Sequence, residues 1–131
     1  MISPHSKTQI DKTLASIGKP YIWQSAGPRG FDCLGIVRYI HNLGLPESVR
    51  GCYPESSKDT ARAIKRSLET GELYECKTGR ILLMGGEDGD FDHLGAVIGD
   101  MVIHCPIDGF VRSASLKAIS KLNVLRVEAT F

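Results

Sequence analysis

Cys33, His93 and His104 are of types that suit nucleophilic acyl chemistry, provided the fold brings them together. Ile98-Gly99-Asp100-Met101 has glycine at the first central position of a two-residue turn, the signature of a type II′ hairpin. In that register Ile98 faces Met101, Val97 faces Val102 and Gly95 faces His104. Side chains alternate along a strand, so His93, Gly95, Val97, Val102 and His104 share one face. His93 is then the diagonal neighbour of His104, at roughly 7–8 Å between backbones and within side-chain reach. Gly95, directly opposite His104, leaves room between the two imidazoles. Leu94, Ala96, Ile98, Met101, Ile103 and Cys105 occupy the other face, which reads Cys105 as core filling. A single strand histidine is more often a hydrogen-bonded structural residue than a catalyst, so the pair needs a third partner to become a site.

Cys33 can be that partner. A cysteine in the first turn of a helix feels the positive end of the helix dipole, which lowers its thiol pKa and raises the thiolate fraction. Its backbone N–H is among the donors that the first turn leaves without an intrahelical acceptor, and can stabilise an oxyanion beside the sulfur. Cys33 also lies on an apolar stripe with Ile36, Val37 and Ile40. Free cysteine is among the most buried residue types, so helix position alone leaves nucleophile and core residue evenly matched.

The elements that must position these residues follow from periodicity and punctuation. Ile10, Leu14 and Ile17 at helical spacing predict a helix over 8–17, stopped by Gly18-Lys19-Pro20. Residues 20–31, with Gly27-Pro28-Arg29-Gly30, read as loop. The Cys33, Ile36, Val37, Ile40 stripe predicts a second helix ending near Asn42-Leu43-Gly44, with Asp32 as its N-cap. Ser56-Ser57 opens a third through about Leu68, with Ala61, Ile64 and Leu68 on one face. Beyond Gly79 the texture changes to short strands at 80–84, 93–98, 101–104, 110–113 and 123–127. Helices first and strands afterwards predict an α+β fold with N-terminal helices packed on a central antiparallel sheet. No repeat, low-complexity tract or linker interrupts the chain, so residues 1–131 read as a single domain.

Composition bounds the function. The 131 residues are 42% hydrophobic; a domain of this length buries roughly two-thirds of the surface its unfolded chain exposes, enough for a core without disulfides or metals. Sixteen Lys and Arg against fifteen Asp and Glu leave a net charge of +1, unlike the concentrated basic excess of nucleic-acid binders. No apolar stretch approaches the roughly twenty residues of a membrane span. The first eight residues lack the apolar core of an export signal, so the expectation is a chain that is cytoplasmic as synthesised, or delivered by a larger assembly. Cys33, Cys52, Cys76 and Cys105 are far apart and form no CxxC pair, which predicts reduced thiols and no zinc site.

Lys19-Pro20-Tyr21-Ile22-Trp23, followed by Gly30-Phe31-Asp32-Cys33-Leu34-Gly35-Ile36-Val37, resembles the signature of the NlpC/P60 family of papain-like cysteine peptidases. That pattern runs Pro-Tyr-x-Trp, a Gly-rich loop, then Asp-Cys-Ser-Gly and aliphatics. His93-Leu94-Gly95-Ala96-Val97-Ile98-Gly99-Asp100 and the strand ending at His104 resemble the family's later segment, and Gly79–Met84 the strand before it. The resemblance covers most of the chain from Thr8 to about Ser113. It implies a papain-like fold, Cys33 as nucleophile, His93 as general base and acid, and His104 as the partner that orients His93. Tyr21 resembles the family tyrosine beside the nucleophile, with an oxyanion-hole role; the residue reading is a loop-anchoring aromatic, as for Trp23, assigned to packing. Asp32 resembles the aspartate that can bind a substrate amine, beside its role as helix cap.

Two positions depart from the pattern. Leu34 stands where the family usually has Ser, removing a hydroxyl near the substrate amine and making the pocket more apolar. Phage-tail members tolerate a large residue there. Gln24 replaces a usual Gly after the Trp, which implies a reshaped loop. The resemblance implies hydrolysis of an amide bond in peptidoglycan peptides, the γ-D-glutamyl–diaminopimelate link or a neighbouring one, through a thioester and without cofactor or metal. The expected setting is a phage or prophage tail, or secretion machinery that delivers the chain to the periplasm. The alternatives are an N-acetylmuramoyl-alanine amidase or an acyl transferase using the same residues, or an inactive structural module of a tail. A metal site of His93, His104 and Cys33 would have three ligands and no evident acidic partner.

Overall fold

A computed structural model describes residues 7–85, 90–120 and 122–131. Residues 1–6, part of the segment read above for an export signal, lie outside the described residues. Helices α1 (Lys7–Ser16), α2 (Cys33–His41) and α3 (Ser57–Thr70) precede the sheet, with one 3₁₀ turn (Glu47–Val49) between the last two. Strands β1 (Leu73–Glu75), β2 (Ile81–Gly85), β3 (Phe91–Ile98), β4 (Met101–His104), β5 (Arg112–Ser115) and β6 (Val124–Ala129) follow, with a four-residue helix α4 (Leu116–Ile119) before the last. They form one antiparallel sheet in the order β1-β6-β2-β3-β4-β5.

The sheet is buried on both faces. Leu94, Ala96, Ile103 and Cys105 pack with Ile36, Val37 and Ile40 of α2, while Val97 and Val102 pack with Leu82 and Met84 beneath α4. The β3–β4 hairpin has the register expected of its Gly-Asp turn, with Ile98 against Met101 and Val97 against Val102. Gly99 carries the positive φ of 57° that the first position of a type II′ turn requires. Cys105 is fully buried, as core filling predicts.

Several elements differ from the sequence reading. The apolar stripe of α1 is not its buried face: Ile10, Leu14 and Ile17 are exposed, while Thr13 and Ser16 are buried. Polar contacts turn the helix this way, with Gln9 Nε2 2.9 Å from His41 Nδ1 and Lys12 Nζ donating to the Tyr39 carbonyl of α2. The strand expected at 110–113 begins at Arg112, because Val111 spends its backbone groups on Gly18 and Lys19 and not on β4. Strand β1 and helix α4 were not predicted; at three and four residues they are too short to show a period.

Candidate active site

Asp32 starts the site. Its carboxylate accepts the backbone N–H of Gly35 at 2.6 Å and so caps α2, which makes Cys33 the first residue of the helix. Gly35 is required there: a Cβ would collide with the Ser25 carbonyl of the preceding loop. That loop folds back on itself, with Phe31 N–H donating to Pro20 O and Ile22 N–H to Phe31 O. Phe31, fully buried, roots the start of the helix in the core. Gln24 has a left-handed backbone (φ 62°), the conformation glycine takes without strain, and its N–H donates to Asp32 Oδ2 at 2.9 Å.

The hairpin supplies the imidazoles. Met84 pairs with His93 but Gly85 pairs with Phe91, so Asp92 is the extra residue of a bulge immediately before His93. His93 Nε2 lies 2.9 Å from His104 Nδ1, with ring centroids 5.1 Å apart and planes at 72°. A Cβ on Gly95 would come within 3.1 Å of the His104 Cβ, so glycine does leave the room that this pair occupies.

Cys33 and His93 line the same cavity, of about 180 Å³, together with Tyr21, Glu55, Asp92 and Ile107. Cys33 also lines a second cavity of about 50 Å³, together with Leu34, Val49, Ile64, Leu73, Leu94 and Phe131 among others. Tyr21 lines both. The structure therefore brings Cys33, His93, His104, Tyr21, Asp32 and Leu34 to one region. Trp23 is not buried: it stays 44% exposed, meets Tyr53 edge-on at 6.0 Å and donates from Nε1 to the Pro54 carbonyl at 2.8 Å.

The electrostatics correct one expectation. Burial pushes the Cys33 thiol up to about 12, and the adjacent Asp32 adds to the rise. The backbone N–H groups of Leu94 and Leu34 favour the thiolate but do not overcome desolvation, so the helix N-terminus does not give a lowered thiol pKa. His93 is lowered to about 4 by burial, then by His104 and Arg112; His104 is lowered to about 4 by burial and Arg112. At neutral pH the resting site is thus a thiol beside two neutral imidazoles. Burial raises Tyr21 to about 12, which keeps its hydroxyl protonated.

Two residues of this region carry no sequence signal. Tyr53 donates its hydroxyl to Asp32 Oδ2, from a stretch (Gly51-Cys52-Tyr53-Pro54) without periodicity. Arg112 stands directly opposite His104 across β4 and β5, and the intervening connection is too long for its register to be deduced from turn type. Among the described residues no group of three or more His, Cys, Asp or Glu is arranged to hold a metal.

No family model matches the sequence. The murein DD-endopeptidase MepH of Escherichia coli is 32% identical over 101 residues, covering 72% of this chain and 34% of that protein. Protein P54 of Enterococcus faecium is 29% identical over 94 residues, covering 71% of this chain and 16% of its own length. The NlpC/p60 domain of the peptidoglycan hydrolase SagA superposes over 95% of this chain and 97% of its own, with a TM-score of 0.53 and 22% identity. The chain has the fold of an NlpC/P60 domain. It spans about a third or less of the two sequence relatives, while the SagA domain matches it almost end to end.

Proposed function

We propose that this chain is a cysteine peptidase of the NlpC/P60 family that hydrolyses an amide bond in peptidoglycan peptides. Cys33 is the nucleophile, His93 the base and acid, and His104 the residue that orients His93. The observation that carries this reading is the 2.9 Å bond between His93 Nε2 and His104 Nδ1, with His93 and Cys33 lining one cavity. The names of the MepH and SagA relatives support murein peptides as the substrate class.

The tautomers follow from the roles. For His93 to accept the thiol proton on Nδ1, its Nε2 must keep a hydrogen and donate it to His104 Nδ1; His104 then carries its own proton on Nε2. Both imidazoles are neutral at pH 7, so the base is in its working form. Because burial disfavours a free thiolate, the proton moves to His93 as the Cys33 Sγ–carbon bond forms. The tetrahedral oxyanion lies beside the first turn of α2, where the Cys33 N–H has no intrahelical acceptor, and near Tyr21, whose hydroxyl stays protonated and can donate to it. Collapse breaks the carbon–nitrogen bond, and His93 returns the proton to the leaving amine. Water, deprotonated by His93, then cleaves the thioester and regenerates the thiol.

The finer part of the proposal is the γ-D-glutamyl–diaminopimelate link or a neighbouring one, and carriage to the wall by a phage-tail or secretion assembly. Mass spectrometry of muropeptides after incubation with the wild type and with Cys33→Ala is the test. Products that need Cys33 support a peptidase, and their masses separate peptide cleavage from amidase action. Products that persist with Cys33→Ala refute it, and none from either protein would favour an inactive module.

A further inference from the structure

We infer that the active-site groove continues along α3 to a carboxylate-binding row made by Lys58, Arg62 and Lys65. The row selects substrates whose amine-side residue carries a carboxylate at the far end of its side chain. This rests on the proposed peptidase roles of Cys33 and His93. His93 returns the proton to the leaving amine, so the amine-side residue lies in the cavity of about 180 Å³ that His93 lines. Ser57 and Asp92 of that cavity also line the next one, of about 420 Å³. The two cavities therefore adjoin, and a side chain on the amine side passes from the first into the second.

Charge sorts what each cavity can hold. Among the described residues the first presents Glu55 and Asp92 and no Lys or Arg. Its wall suits an amine taking up a proton and repels a carboxylate. The second presents Lys58, Arg62 and Lys65 of α3, with Asp90 and Asp92 from the β3 side. The three cations recur at i, i+4 and i+7, so they share one face of α3, turned away from its buried Ile64 and Ser67. Lys58 and Lys65 have no ion-pair partner among the described residues, and Arg62 stands 3.6 Å from Asp59, too far for a hydrogen bond. Their donors remain for the charge-assisted bonds a carboxylate accepts. Asp90 and Asp92 set the ligand class further: they oppose a polyanion and are compatible with an ammonium on the carbon that bears the carboxylate. Diaminopimelate has that far end; lysine has the ammonium alone.

The test measures Kd by NMR titration of the full-length Cys33→Ala chain, so that binding is read apart from hydrolysis. The ligands are tetrapeptides L-Ala-γ-D-Glu-X-D-Ala in which X is meso-diaminopimelate, its far-end carboxamide or L-lysine. An exposed charge pair contributes up to about fivefold, so the diaminopimelate peptide should bind about tenfold or more tightly than the other two, which should bind alike. Adding Lys58→Gln and Lys65→Gln together should bring that preference to about twofold or less. Arg66→Gln, which removes an exposed α3 cation outside the cavity, should leave it in place. Salt at 1 M, with a screening length of about 3 Å, should act as the double substitution does. Equal binding of the three peptides, binding of none, a preference that survives the double substitution, or tighter binding of poly(glycerol phosphate) than of any peptide would overturn the inference. Turnover by the wild type is read separately: the binding preference without turnover would remove the peptidase reading and leave the row standing, and turnover without the preference would do the reverse.

Discussion

Gly95→Ala probes the space on which the two imidazoles depend. A Cβ at this position would stand 2.6 Å from Val102 Cγ1 and 3.1 Å from both the His104 Cβ and the Ile103 carbonyl. Real side chains do not approach that closely, and the neighbours are held: Val102 is fully buried and Ile103 is in the central hairpin. Overpacking of this kind costs about 1–3 kcal/mol, which for a domain of this size lowers Tm by several degrees. The His104 backbone must give as well, and its ring is the partner that holds His93 at 2.9 Å. A displacement on the order of 1 Å in a catalytic group costs about 100-fold in rate. The assay is kcat/KM for muropeptide hydrolysis at a temperature where far-ultraviolet circular dichroism shows the variant folded, with Gly44→Ala as control. Its Cβ would meet nothing closer than 3.8 Å, so it should keep both Tm and activity. Wild-type kcat/KM in folded Gly95→Ala would refute the claim that this glycine makes room for a working His93–His104 pair.

Other perturbations test separate parts of the site. His104→Ala removes the acceptor that fixes the His93 tautomer and should lower kcat/KM by at least about 10-fold with little change in KM; an unchanged kcat would contradict the orienting role. Because both imidazoles titrate near 4 in the fold and near 6.5 when unfolded, the unfolded chain binds more protons between those values. Stability is then complete above pH 6.5 and declines as pH falls toward 4; melts of the wild type should show this decline, His93→Gln should make it shallower across the whole range, and identical profiles would count against neutral buried imidazoles. Arg112→Gln removes a cation that lowers both imidazoles, so the acid limb of the pH–rate profile should move toward neutral; an unmoved limb would exclude Arg112 from tuning the pair. Tyr53→Phe takes one donor from the buried Asp32 carboxylate and should cost about 1.5–3 kcal/mol in thermal or urea denaturation, whereas an unchanged Tm would show the bond to be dispensable.

Much of the fold was legible because local signals coincided with tertiary demands. The Gly99-Asp100 turn dictated hairpin register, and register put His93 and His104 on one face. Asp32 before an apolar stripe marked the start of α2, and with it the position of Cys33. The failures have equally local causes. The stripe of Ile10, Leu14 and Ile17 identified a helix but not its buried face, since the polar contacts of Gln9 and Lys12 with α2 decide that. The lowered thiol pKa was a property of a helix end in solvent, while the actual sulfur is desolvated by its own pocket. Tyr53 and Arg112 reach the site through a loop and an edge pairing, and neither leaves a periodic trace in sequence.

The central claim is that the Cys33 thiol carries the substrate acyl group while the imidazole pair moves its proton. Intact-protein mass spectrometry of acid-quenched hydrolysis reactions tests this most directly, with peptide mapping of the modified cysteine. The account predicts an acyl adduct on Cys33 equal in mass to the acyl-side product, and neither adduct nor product with Cys33→Ala. Product accumulating from Cys33→Ala, with the wild-type thiol unmodified at every quench time, would contradict it.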